Sequence, residues 1–142
     1  MKKFTQEQVD QLNSKIKTTN EALQWVSDNL HPRVAKASSF GAEDAVIMDI
    51  MLKINPKFRF FTLDTGRLPQ ETYDIMDVVR KKYNITIEVL FPDTREVEDM
   101  VREKGMNLFY ESVENRKLCC EIRKVHPINR MLSTLDGWIT GL

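Results

Sequence analysis

The run Arg33-Val34-Ala35-Lys36-Ala37-Ser38-Ser39-Phe40-Gly41-Ala42-Glu43-Asp44 changes character twice. Residues 33–37 read as a short strand, and Ser38-Ser39-Phe40-Gly41-Ala42 as a turn. A helix follows from about Glu43 to Asn55, where Val46, Ile47, Ile50, Met51 and Ile54 recur at helical spacing and predict the buried face. Pro56 closes it, because proline cannot continue a helix.

The same alternation extends downstream. Arg59 to Leu63 reads as a second strand, and Asp64-Thr65-Gly66-Arg67-Leu68 as a loop. Pro69 suits the first turn of a helix reaching about Tyr83. Thr86 to Leu90 forms a third strand, and Thr94 to Lys104 a helix stopped by Gly105. Residues 106–135 suggest several short helices with breaks, and Gly137 to Thr140 a fourth strand. Short apolar strands alternating with helices predict an α/β domain, a parallel sheet with helices on both faces.

Upstream, Thr5 with Gln8 and Thr18 with Glu21 fit the capping-box spacing and open two helices, about 6–16 and 20–30. Leu23, Val26 and Leu30 mark one face of the second. The expected organisation is an N-terminal helical arm over residues 1–31 and a single α/β domain over 32–142.

Bulk properties narrow the function classes. The chain has 142 residues, with Lys plus Arg and Asp plus Glu equal at 21 each, so no net charge pulls it towards nucleic acid or a membrane surface. An anionic ligand needs a local cluster of donors. No apolar run approaches the roughly 20 residues that span a bilayer, and the basic start Met1-Lys2-Lys3 leads into a polar segment rather than a secretory core. With two cysteines and no export signal, a reducing cytoplasm is expected.

Ligands of open α/β sheets bind outside the carboxyl ends of the strands. Two loops occupy that edge. In Ser38 to Asp44, Gly41 permits close backbone approach, the hydroxyls of Ser38 and Ser39 can donate, and the helix start favours a sulfate or phosphate. An ordinary Ser-rich turn with acidic residues in the first helical turn gives the same pattern. In Leu63-Asp64-Thr65-Gly66-Arg67, Asp64 and Thr65 can hold a ribose or adenine, and Arg67 offers a forked donor pair to an anion. A plain turn is again compatible.

Cys119 and Cys120 lie among Arg116, Lys117, Arg123 and Lys124. Positive charge favours the thiolate, which ligates metals or attacks electrophiles. Adjacent cysteines rarely bridge each other, and two thiolates are half of the four ligands that zinc and iron–sulfur sites usually take. Buried structural thiols are the plainer alternative.

Taken in order, Ser39-Phe40-Gly41-Ala42-Glu43-Asp44, Leu63-Asp64-Thr65-Gly66-Arg67-Leu68-Pro69-Gln70-Glu71-Thr72-Tyr73, Cys119-Cys120-x-x-Arg123-Lys124-x-x-Pro127-x-x-Arg130 and Trp138-x-Thr140-Gly141-Leu142 resemble the assimilatory adenylyl-sulfate and phosphoadenylyl-sulfate reductases. The resemblance covers about residues 20–142. It implies an adenine-nucleotide hydrolase-like fold related to the ATP pyrophosphatases. By the same resemblance, Ser38 to Asp44 receive the phosphosulfate, and Leu63 to Arg67 hold the nucleoside and the anionic end. Cys119 and Cys120 supply two of four ligands to a [4Fe–4S] cluster, and Lys124 is the cation near cluster and sulfate.

The double cysteine marks the cluster-containing type that uses adenylyl sulfate, although some members accept the 3′-phosphorylated substrate. In the reaction the resemblance implies, a cysteine thiolate of a mobile C-terminal segment attacks the sulfur and releases AMP. Thioredoxin or glutaredoxin then frees sulfite. The family continues past residue 142 into an arginine-rich loop, a Cys-x-x-Cys pair and that nucleophile, so a truncated, inactive chain is expected. The resemblance leaves homo-oligomerisation open. Two other readings share the fold neighbourhood: an ATP pyrophosphatase-type adenylating enzyme, whose Ser-Gly-Gly-x-Asp-Ser type loop Ser38 to Asp44 does not match, and a non-catalytic adenine-nucleotide-binding module.

Overall fold

The computed structural model describes residues 4–141. The basic start at Met1-Lys2-Lys3 and the closing Leu142 of the last motif lie outside the described residues.

Two helices open the described chain, α1 (Gln6–Lys15) and α2 (Thr19–Leu30), each begun by the expected capping box. Thr5 and Thr18 accept from the backbone N–H groups of Gln8 and Glu21, whose side chains accept from the threonine N–H in return. Helix α1 buries no residue, whereas α2 sets Leu23 into the core, with Val26 and Leu30 packed around it.

The sheet then builds as β1 (Val34–Ala37), α3 (Ala42–Ile54), β2 (Arg59–Leu63), α4 (Gln70–Tyr83), β3 (Ile87–Leu90), α5 (Thr94–Lys104), α6 (Val113–Cys120), α7 (His126–Leu132) and β4 (Gly137–Ile139). All pairings are parallel and the strand order is β3-β2-β1-β4. After β3 and β2 have been laid on one side of β1, the chain crosses to β4 on the other. The strand order therefore reverses beside β1, and a crevice opens at the carboxyl ends there.

Both faces are covered, because alternate residues of a strand point to opposite sides. Val34 and Phe60 meet Leu23, Met48, Met51 and Phe58 on the α2–α3 face. Ala35 and Phe61 meet Met131 and Leu135 on the α7 face. Burying each phenylalanine contributes roughly 2 kcal/mol from area alone. A third cluster, Met100, Leu108 and Cys119, ties α5 to α6.

Two expectations need correction. Val46 is 60% exposed, and the buried stripe of α3 is Asp44, Met48 and Met51. Met51 is buried as expected and Ile47, Ile50 and Ile54 pack against the core, so the correction falls on Val46 alone. The segment after residue 112 is also less broken than expected. A 3₁₀ turn (Leu108–Tyr110) precedes one helical run from Val113 to Leu132, widened to a π segment at Glu121–Val125. Pro127 explains the widening: it has no N–H to donate, and its ring would crowd the Arg123 carbonyl in a regular turn. The His126 N–H bonds to the Glu121 carbonyl five residues back. Such π segments recur at functional sites.

Candidate functional site

At the strand-order reversal lies a cavity of about 350 Å³, within the range of small-ligand sites. Leu68, Thr72 and Ile128 contribute to its walls together with four further parts of the chain. Ser38, Ser39 and Asp44 come from the β1–α3 turn, Leu63 and Thr65 from the end of β2, Lys124 from the π segment, and Thr140 and Gly141 from the end of β4.

The turn after β1 is held from below. Lys36 is fully buried and its Nζ pairs with Asp44 Oδ1, while also donating to the Ala37 carbonyl at 2.7 Å. Asp44 Oδ2 accepts from the Ser39 N–H at 2.6 Å and from Ser39 Oγ at 3.0 Å. Burial pushes the Asp44 carboxyl upwards, but the Lys36 ammonium and the Ser39 donors outweigh it and hold the carboxyl below its ordinary value. Ser38 Oγ accepts from the Phe40 N–H at 3.1 Å and donates towards Met48 Sδ. The serine donors expected to face a ligand are therefore engaged inside the loop, and they shape it.

Phe40 sits at φ +64°, a left-handed conformation that side chains rarely adopt. Gly41 caps α3 without a side-chain hydrogen bond, and Glu43 folds back over it. A Cβ on Gly41 would lie 2.6 Å from the Glu43 carboxylate oxygens.

The second loop divides. Thr65 lines the cavity, and its Oγ1 accepts from the Arg67 N–H at 3.2 Å. Asp64 faces a different groove of about 410 Å³ beside β3, where its Oδ1 accepts from the Gly66 N–H at 2.8 Å and the Tyr73 hydroxyl at 3.0 Å. Arg67 also turns away. It donates to the Met106 carbonyl and Asn107 Oδ1, and stacks 4.8 Å over the Phe109 ring. Its guanidinium anchors the 106–109 segment rather than lining the cavity.

Neither cysteine lines the cavity. Cys119 is buried beside Met100 and Leu108, and Cys120 is exposed. Consecutive helical side chains diverge by about 100°. Among the described residues no group of three or more His, Cys, Asp or Glu could hold a metal. Arg123, three residues on from Cys120, is buried with its Nε unpaired among the described residues, while its Nη1 donates to the Thr65 carbonyl at 2.6 Å. That bond joins the cysteine helix to the cavity loop.

Of the residues expected at the site, Ser38, Ser39, Asp44, Leu63, Thr65 and Lys124 line this cavity, whereas Asp64, Arg67, Cys119 and Cys120 do not. Lys36 was missed, although a lysine inside the short strand Val34-Ala35-Lys36-Ala37 was itself the signal.

A parallel sheet with a ligand-sized cavity at its strand-order reversal defines an open α/β domain of the ligand-binding kind. The profile of the phosphoadenosine phosphosulfate reductase domain matches residues 33–142, and the chain belongs to that family. It is 40% identical over 131 residues to an adenosine 5′-phosphosulfate reductase of Burkholderia cepacia, covering 92% of this chain and 52% of the relative. To the chloroplastic 5′-adenylylsulfate reductase 1 of Arabidopsis thaliana it is 48% identical over 101 residues, 71% of this chain and 21% of that one. The crystal structure of phosphoadenylyl-sulfate reductase from Candida auris, a phosphate complex, superposes with a TM-score of 0.81 at 26% identity, over 99% of this chain and 69% of that one. The chain thus spans about half the length of the Burkholderia relative.

Proposed function

We propose that the chain is the sulfonucleotide-binding part of an adenylyl-sulfate reductase of sulfate assimilation, working in the cytoplasm with thioredoxin or glutaredoxin as reductant. The observation that carries this reading is the single cavity in which the Ser38–Ser39 turn, Thr65 and Lys124 meet at the strand-order reversal. The names of the relatives support the substrate class.

In this reading the adenine and ribose lie along the carboxyl ends of β2 and β4, between Leu63 and Gly141. The sulfate lies towards Lys124, whose ammonium offsets the charge of an approaching thiolate. Because neither cysteine lines the cavity, the described residues bind and orient the nucleotide and leave the attack to another thiol. In that attack a sulfur–sulfur bond forms, the sulfur–oxygen bond to AMP breaks, and AMP leaves as the anion. A dithiol reductant then releases sulfite and ends as a disulfide.

Cys119 and Cys120 would supply two thiolates to a [4Fe–4S] cluster, with the remaining ligands coming from outside the described residues. The cluster would add a local electrostatic influence near the sulfate. Residues 32–142 form the nucleotide-binding unit and 1–31 an appended arm, with α2 laid against the core.

Calorimetry tests the reading. AMP and adenylyl sulfate should bind, and ATP should release no pyrophosphate. Pyrophosphate release, or failure of both nucleotides to bind, would refute it.

A further inference from the structure

The cavity carries one feature that its ligand-facing residues do not account for: a fully buried lysine beneath it. Lys36 sits within β1, between β2 and β4, on the face covered by α3. An isolated ammonium there would be strongly disfavoured, so its partners define its role. They are the Ala37 carbonyl at the end of β1 and Asp44 in the first turn of α3. Between these two anchors runs the Ser38–Gly41 turn, with Phe40 in its left-handed conformation.

We propose that Lys36 is a positioning residue for the anion seat: its buried ammonium holds the Asp44 carboxylate, and through it Ser39, so that the turn is shaped before any ligand arrives and its own negative charge is cancelled. The inference rests on the cavity being the sulfonucleotide seat. Lys36 does not line the cavity, whereas both of its partners, Asp44 and Ala37, do, so any effect on a ligand passes through them.

Among the described residues, three charged groups lie near Asp44 or line its cavity. Lys36 comes from β1, Glu43 from the same turn of α3 over Gly41, and Lys124 from the π segment lining the same cavity. From the end of β4 comes Gly141. A Cβ on Gly141 would lie 2.9 Å from Asp44 Oδ1 and 2.9 Å from Glu43 Cγ, so the strand end packs directly on the pair. Without Lys36, an incoming phosphate or sulfate would meet an uncompensated buried carboxylate. That carboxylate would take up a proton to admit the anion.

A structural ion pair would affect folding alone, whereas a positioning role predicts proton linkage. The test compares wild type, Lys36→Met and Lys36→Met with Asp44→Asn, using AMP calorimetry in buffers of different ionisation heat from pH 5 to 8, together with carbon NMR of the Asp44 carboxyl in ligand-free protein. In Lys36→Met, the Asp44 carboxyl should titrate above its ordinary range. AMP affinity should fall about tenfold at the alkaline end and recover as pH drops, with net proton uptake on binding. The double variant should lose both the pH dependence and the uptake.

An Asp44 titration unmoved by Lys36→Met, or AMP binding with unchanged affinity and no proton uptake, would overturn the proposal. Should wild type bind no AMP, the ligand reading falls, while the carboxyl titration still decides whether Lys36 holds Asp44. If Lys36→Met does not fold, Asp44→Asn serves instead. Nitrogen NMR should then show Lys36 titrating well below a normal lysine, and an unshifted Lys36 would be the contrary result.

Discussion

The Arg123 guanidinium donates to the Thr65 main-chain carbonyl at 2.6 Å, joining the helix that carries Cys119 and Cys120 to the loop that ends β2. The two residues are far apart in sequence and both are buried. The thiol-bearing helical run and the wall of the cavity are thereby in direct contact.

Arg123→Ala removes that contact. It leaves a buried carbonyl without its donor, which costs about 1–3 kcal/mol, and the large side chain is lost as well. Urea denaturation should show a reduced midpoint with little change in slope, and AMP binding should weaken because Thr65 is no longer fixed. Unchanged stability would mean that the bond contributes nothing net.

Gly66 occupies φ +72°, and a Cβ there would lie 3.3 Å from Arg123 Nη1. Gly66→Ala should therefore destabilise through its backbone by about 1–2 kcal/mol and also push on the Arg123 bond. Gly105 shares a positive φ, at +80°, but a Cβ there would meet nothing within 4 Å. Gly105→Ala should lower the melting temperature while leaving AMP affinity intact. Equal losses of affinity in both variants would contradict this distinction.

His126 predicts a pH dependence. Its Nδ1 lies 2.9 Å from Glu96 Oε2, and its Nε2 lies 3.7 Å from Glu121 Oε1, linking α5 to the π segment. The Glu96 hydrogen bond, opposed by desolvation, raises the imidazole above its ordinary value of 6.5. A group raised on folding stabilises fully below its unfolded pKa, and the contribution is lost as pH rises through the folded one. Stability should thus decline above about pH 6.5, and His126→Gln should flatten that part of the profile. An identical slope in the variant would remove His126 as its source.

The framework was legible because its signals are local. Both capping boxes follow from residues three apart, β2 from a short apolar run, and the end of α5 from Gly105. The site was legible only in outline. Arg67 is an exposed forked donor in sequence, yet its partners Met106, Asn107 and Phe109 lie about 40 residues further on. Asp44 looks like an ordinary acidic helix start until the fold sets it over Lys36. On α3, periodicity placed Ile47, Ile50, Met51 and Ile54 against the core and missed only in Val46, which is exposed. The breaks expected over residues 106–135 did not allow for a helical run that absorbs Pro127 by widening to a π segment.

The most direct test is a crystal structure of the protein soaked with adenylyl sulfate. The nucleotide should occupy the cavity between Leu63 and Gly141, with its anionic end against the Ser38–Ser39 turn and Lys124. Density in the groove beside β3 instead, or an anion held by Arg67 away from Lys124, would contradict the account.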